Sequence, residues 1–150
     1  MEAKDDSKQR ITLRLLAYWE KLRLGRDMPS PSDINADDLQ DLWDYCFIIN
    51  LKDFDKDLKA KNCDYTYLGK ALQTSCLNAS NPEASEESPL NFKKLSKNCL
   101  KAIQNSSPLL DEGEFVTPQN NIVKYRECLL PLGENGRIEA ILGGMRFRLY

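Results

Sequence analysis

The stretch Tyr125-Arg126-Glu127-Cys128-Leu129-Leu130-Pro131-Leu132-Gly133-Glu134-Asn135-Gly136-Arg137-Ile138-Glu139-Ala140-Ile141-Leu142-Gly143-Gly144-Met145-Arg146-Phe147 decides the fold. Its apolar runs are strand-sized, and Gly133-Glu134-Asn135-Gly136 between them is hairpin material, because Asn and Gly tolerate the positive φ of a tight turn. A second joint of the same kind, Pro118-Gln119-Asn120-Asn121, lies just upstream. Together they predict three strands, Leu109–Val116, Ile122–Leu130 and Arg137–Leu149, joined by hairpin-length links. Links that short join antiparallel neighbours, so a doubly wound parallel sheet is excluded.

Upstream of the meander, Ser88-Pro89 is a good helix start, a cap followed by a first-turn proline. Phe92, Leu95, Cys99 and Ile103 fall on one face of that helix, and Pro108 ends it. The stretch Asn78–Ser88 (NASNPEASEES) is too polar to bury and reads as a loop. Cys63–Leu68 reads as a strand ending at Gly69, with a short helix near Lys70–Leu77, and Tyr45–Leu51 as an earlier strand. Before it, Asn35 is placed to cap a short helix, with Ile34 and Leu39 in the positions of a hydrophobic staple. Arg26–Ser32, with two prolines, reads as an extended linker. From Ser7 to Leu24, the positions Ile11, Leu15, Tyr18, Trp19 and Leu22 recur at steps of three and four, which is an amphipathic helix. Two strands early and three late, with helices inserted, predict an α+β domain with one antiparallel sheet and helices on a face.

Composition narrows the chemistry. The 150 residues contain no histidine, which removes Ser-His-Asp and Cys-His nucleophiles and His-ligated zinc or haem. A formal net charge of −2 gives no overall pull towards nucleic acid or an anionic membrane. No run approaches the ~20 apolar residues of a membrane span, and the acidic start Met1–Asp6 lacks the order of a secretory signal. The five cysteines contain no CxxC pair and are odd in number, so free thiols in a reducing cytoplasm are expected.

Several blocks now resemble one family. Tyr18-Trp19, Gly25-Arg26, Met28-Pro29-Ser30, Asp33-Ile34 and Leu39 resemble the opening of a PAS-domain family found mainly in alphaproteobacteria. Tyr65–Gly69 resembles its glycine-ended strand, Tyr125–Leu132 its tyrosine, glutamate and Leu-Leu-Pro-Leu block, and Ile138–Phe147 its final strand. The resemblance spans about 16–147. It implies a PAS-like five-stranded antiparallel sheet, with helices on one face and space between them for a small ligand. It also implies a free-standing module, here an N-terminal amphipathic helix at 1–25 and a PAS-like domain at 26–150.

Candidate sites are weighed individually. Asp53-Phe54-Asp55-Lys56-Asp57 opens like a calcium loop, but Leu58 stands where the turn needs glycine and Asp64 where a bidentate glutamate belongs, so it reads as a solvated turn. Asp33, Asp37, Asp38, Asp41 and Asp44 suit a helix N-terminus, or dock a basic partner. None of the cysteines has the Asn-Cys-Arg-Phe neighbourhood of a flavin-adduct PAS domain, and Cys63 has no basic neighbour to activate it. Gly143-Gly144 marks a close approach, by a packed helix or by a ligand. Tyr67, Phe92, Leu95, Cys99 and Tyr125 are the residues expected to face the sheet–helix interior, as a filled core or as a ligand pocket. Arg126 with Glu127 reads equally as a cross-strand or a surface ion pair, worth little. Ile11, Leu15, Trp19 and Leu22 are expected to build a homodimer by reaching a neighbour's sheet, in preference to capping their own.

The sequence therefore reads as a cytoplasmic regulatory module acting through a protein partner, with a small-molecule sensor as the alternative; it is not read as an enzyme, a metal protein, a nucleic-acid binder or a membrane-inserted chain. With no histidine for haem and no adduct motif for flavin, the purified protein is expected to show no absorbance band in the visible. A band that survives dialysis overturns that expectation.

Overall fold

The computed structural model describes residues 10–50, 66–73, 92–116 and 120–149. The DxDxD segment, Cys63, Cys76, the Asn78–Ser88 loop and the start of the helix after it lie outside the described residues.

The elements run α1 (Ile11–Arg23), two short 3-10 turns flanking α2 (Ala36–Leu39), β1 (Cys46–Asn50), β2 (Tyr67–Leu68), α3 (Lys70–Gln73), α4 (Phe92–Asn105), β3 (Leu109–Val116), β4 (Ile122–Glu134) and β5 (Arg137–Leu149). The strands form one five-stranded sheet in the order β2-β1-β5-β4-β3, every described pair antiparallel. The expected α+β class and single antiparallel sheet are therefore observed. Asn135 (φ 55°) and Gly136 (φ 75°) make the turn between β4 and β5, the two-residue connection whose twist suits a hairpin. β4 runs four residues past the predicted Leu130, through Pro131 to Glu134. Pro131 lies beyond the end of β3, which starts opposite Leu129, so its missing N–H disturbs no pairing with that strand.

Alternation along the strands splits the core into two layers, because successive side chains point to opposite faces. Cys46, Cys128, Leu130, Leu132, Ala140 and Leu142 face α1, packing with Ile11, Leu15 and Trp19. Phe47, Ile49, Leu129, Ile141 and Met145 face the other way, packing with Leu72 of α3 and with Cys99 and Ala102 of α4. Helices α3 and α4 thus cover one face, as expected, and the N-terminal amphipathic helix α1 covers the other. The glycine pair serves both layers. A Cβ on Gly144 would strike the Leu15 side chain, and a Cβ on Gly143 would strike the Phe47 ring. Helix packing, as expected, accounts for Gly144.

The position of α1 corrects the dimer reading. Ile11, Leu15 and Trp19 are buried on the chain's own sheet, with Leu22 half-buried, so this stripe is consumed inside one chain. The indole Nε1 of Trp19 donates to the Pro131 carbonyl at 2.8 Å, satisfying a buried donor and an acceptor together. The linker is also more than a tether. Gly133 N donates to the Pro29 carbonyl (2.8 Å), Ser30 Oγ donates to Glu134 (2.9 Å), and Met28 is buried, so 26–32 is fastened to the end of the β4–β5 hairpin. Ser30 and Asp33 form a capping box there, and Arg26 pairs with Asp33 at 2.8 Å. Asn35 caps α2 as expected, accepting from Asp37 N at 2.9 Å.

Replacing Trp19 with alanine is expected to cost about 3–5 kcal/mol of unfolding free energy, the range for a buried aromatic. Trp19→Phe keeps most of the ring, strands the Pro131 carbonyl, and is expected to cost about 1–3 kcal/mol. Urea denaturation followed by far-UV circular dichroism measures both.

Candidate functional site

The candidate site lies between α4 and the sheet, where the interior holds polar groups. Glu127 of β4 is fully buried. Its Oε1 accepts from Asn98 Nδ2 of α4 at 3.2 Å, and Asn98 is itself buried. Strand alternation puts Glu127 here, on the face shared by Val123, Tyr125 and Leu129, while Arg126 turns to the opposite face. The expected Arg126–Glu127 pair is therefore not made. Arg126 instead reaches Glu112 directly across the ladder, at 3.2 Å and in solvent. Across the sheet Glu127 is flanked by Asp111 of β3 and Met145 of β5. A carboxyl group removed from water needs hydrogen-bonding partners to be tolerated, and Asn98 brings one from the helix.

Cys99 and Tyr125, both expected in the interior, are on this face. Cys99 is buried with Phe47, Leu129 and Met145. Tyr125 lies over Gly113, its register partner, where any Cβ would meet its ring and hydroxyl. Its ring packs at 6.0 Å from that of Phe115. Phe147 touches both the Cys99 layer and the Tyr125 cluster, which joins them along one face. Tyr67 is a correction. It belongs to the α1 face, stacked on Trp43 with ring centroids 4.0 Å apart and its hydroxyl donating to the Trp43 carbonyl at 2.9 Å. Leu68, its neighbour, takes the α4 face instead. The backbone at Phe92 and Leu95 is helical, and their side chains lie outside the described residues.

Sequence reasoning missed the role of Glu127 and Asn98, although the signal was present. Tyr125 was assigned to the interior, and a residue two positions along a strand shares that face. Asn98 follows Leu95 by three, the spacing of one helix face.

Among the described residues, the thiols of Cys46, Cys99 and Cys128 are free and buried. Burial pushes Cys99 up to about 12, and the charge of Glu127 adds to the shift. Burial alone takes Cys46 to about 12, and Cys128 is raised too, first by burial and then by Cys46 and Glu127. Such thiols are poor nucleophiles, which fits structural cysteines.

A model of the PAS domain family matches residues 7–58, the segment from α1 through β1. Among solved structures, the chain is similar to the PAS domain of a protein from Colwellia psychrerythraea. The identity is 17%, the TM-score 0.42, and the match covers 73% of this chain and 93% of that one. No curated protein matches.

The raised thiols have a pH consequence. The folded state holds protons that the unfolded chain releases near the ordinary value of 9.0, so stability is complete below that pH. It is expected to fall progressively as pH climbs from 9.0 towards about 12, where Cys46 itself titrates. Urea midpoints measured across this range check the slope, and replacing Cys46 and Cys99 with alanine should flatten it.

Proposed function

We propose that the chain is a regulatory module of the PAS type that reads a small ligand at the α4–sheet interior. The observation that carries the reading is the Asn98–Glu127 hydrogen bond, made by two buried polar side chains between α4 and the sheet. A filled structural core has no need of a buried carboxyl, since apolar residues of similar volume are often as stable or more so. The match of the PAS family model to 7–58 and the five-stranded antiparallel sheet support the module class. A ligand carrying a hydrogen-bond donor, such as an amine or amide, competes with Asn98 for Glu127 and thereby shifts the hold of α4 on the sheet. The module carries no catalytic step in this reading. It works in bacterial signalling, in the cytoplasm, where free thiols such as Cys46, Cys99 and Cys128 persist. Among the described residues, no helix is long and apolar enough to cross a membrane.

A second reading, regulation through a protein partner with no ligand, is favoured by the edge of the sheet where, among the described residues, Leu110, Val116 and Ile122 are exposed. Native mass spectrometry of protein purified from its source cell separates the two. The ligand reading expects an added mass that collisional activation strips, and a smaller bound fraction in Glu127→Gln and Asn98→Ala. A bare mass in the wild type, with melting temperature unmoved by a library of small amines and amides, favours the partner reading.

A further inference from the structure

β3 ends the sheet, with β4 on one side and, among the described residues, no strand on the other. In an antiparallel ladder the N–H and C=O groups of successive residues point to opposite sides, so every second residue of β3 aims a donor and an acceptor away from β4. Solvent reaches this backbone, because Gly113, which has no side chain to expose, is itself exposed. α1 packs on β4 and β5, and a strand added beyond β3 lies in the plane of the sheet, on the side away from that helix. The side chains say which strand fits. On one face β3 presents Leu110, Glu112, Glu114 and Val116, an apolar, acid, acid, apolar row whose every member is exposed. β4 answers it in direct register with Cys128, Arg126, Lys124 and Ile122, which read apolar, basic, basic, apolar, and Arg126 reaches Glu112 at 3.2 Å. Opposite charges facing each other across a strand pair are favourable. The outer side of β3 offers the same row. The Glu112 side chain stays 67% exposed beside Arg126, and a carboxylate accepts from more than one donor.

We infer that the outer edge of β3 docks an extended segment of a partner protein, one that carries two basic side chains at alternate positions between two apolar ones. The segment adds a strand to the sheet as β4 does from the other side. Main-chain hydrogen bonds supply the affinity, and the row Leu110, Glu112, Glu114, Val116 selects the sequence. A second copy of β3 is the wrong occupant. Asp111, Glu112 and Glu114 of one strand would lie against the same three acids of the other, and like charges across a strand pair are unfavourable. A basic segment meets the opposite sign at both acidic positions of the row. The docking edge holds with or without a ligand at Glu127, whose side chain lies on the face opposite to Glu112 and Glu114.

Fluorescence anisotropy on the full chain tests it, with the labelled, end-capped peptide Thr-Val-Thr-Lys-Thr-Arg-Thr-Val-Thr as the probe; its β-branched residues favour an extended backbone. Saturable binding is expected, weaker as salt rises. A peptide with glutamates in place of Lys and Arg is expected to bind at least about tenfold more weakly. Glu112→Lys with Glu114→Lys is expected to reverse that preference, losing the basic peptide at least about tenfold and gaining the acidic one. Strand pairing is read separately. Peptide N–H groups alternate in direction, so methylating the backbone nitrogens of the even residues, or of the odd ones, gives two probes of equal charge, only one of which sets its methyls against β3. One is expected to lose binding and the other to keep it. Should the double variant fail to fold by circular dichroism, Glu114→Lys alone gives the charge readout. The inference is overturned if the basic peptide shows no saturable binding up to its solubility limit, or if the basic and acidic peptides bind the wild type equally. A folded variant with unchanged preference also overturns it, as do two N-methylated probes that bind alike, which is contact by charge without an added strand.

Discussion

The sheet depends on two side chains that need the absence of a third and a fourth. Leu15 of α1 lies where Gly144 has no Cβ, and the Phe47 ring lies where Gly143 has none. A central sheet with both faces apolar must be covered twice, and these two contacts seat the covers. α1 closes one side with Leu15 and Trp19, and Phe47 joins the strands to α3 and α4 on the other. Burial at roughly 25 cal/mol per Å² makes such covers the main favourable term in the fold. Everything further out, from the linker fastened at Pro29 to the capping box at Ser30, holds α1 in that seat.

How much of this was legible varied with the range of the interaction responsible. β3 and β5 were read with their observed bounds, because turn chemistry at Asn135-Gly136 and the stop at Pro108 are local signals. α1 was legible as a helix from its spacing, but its destination was not. That depends on β1 pairing beside β5, Cys46 opposite Gly144, across nearly a hundred residues. Pro131 misled in the same way. A proline looks like a strand end until the neighbouring strand is known to stop short of it.

The candidate site shows a different limit. Tyr67 was placed on the wrong face because Tyr67-Leu68 offers two large apolar neighbours and no alternation to choose between them. Glu127 was tied to Arg126 because they adjoin in sequence, yet adjacent residues on a strand point apart, and Arg126 found Glu112 across the ladder instead. Cys99 and Tyr125 were placed correctly because each continues a periodic pattern longer than itself. Where the pattern is long, it decides; where it is short, the fold decides.

The adjacent glycines also set a distance. Gly143 answers to the ring on the α4 side and Gly144 to the helix on the α1 side, and in register they stand beside Leu129 and Cys128. The two halves of the interior are therefore separated by a single peptide unit, with no intervening side-chain layer to absorb displacement. Sheet backbone is stiff along its hydrogen-bonded direction. The ring of Phe47 on one side and the side chain of Leu15 on the other thus bear on neighbouring residues of one strand, so any substitution that adds a Cβ here meets the packing of a whole layer.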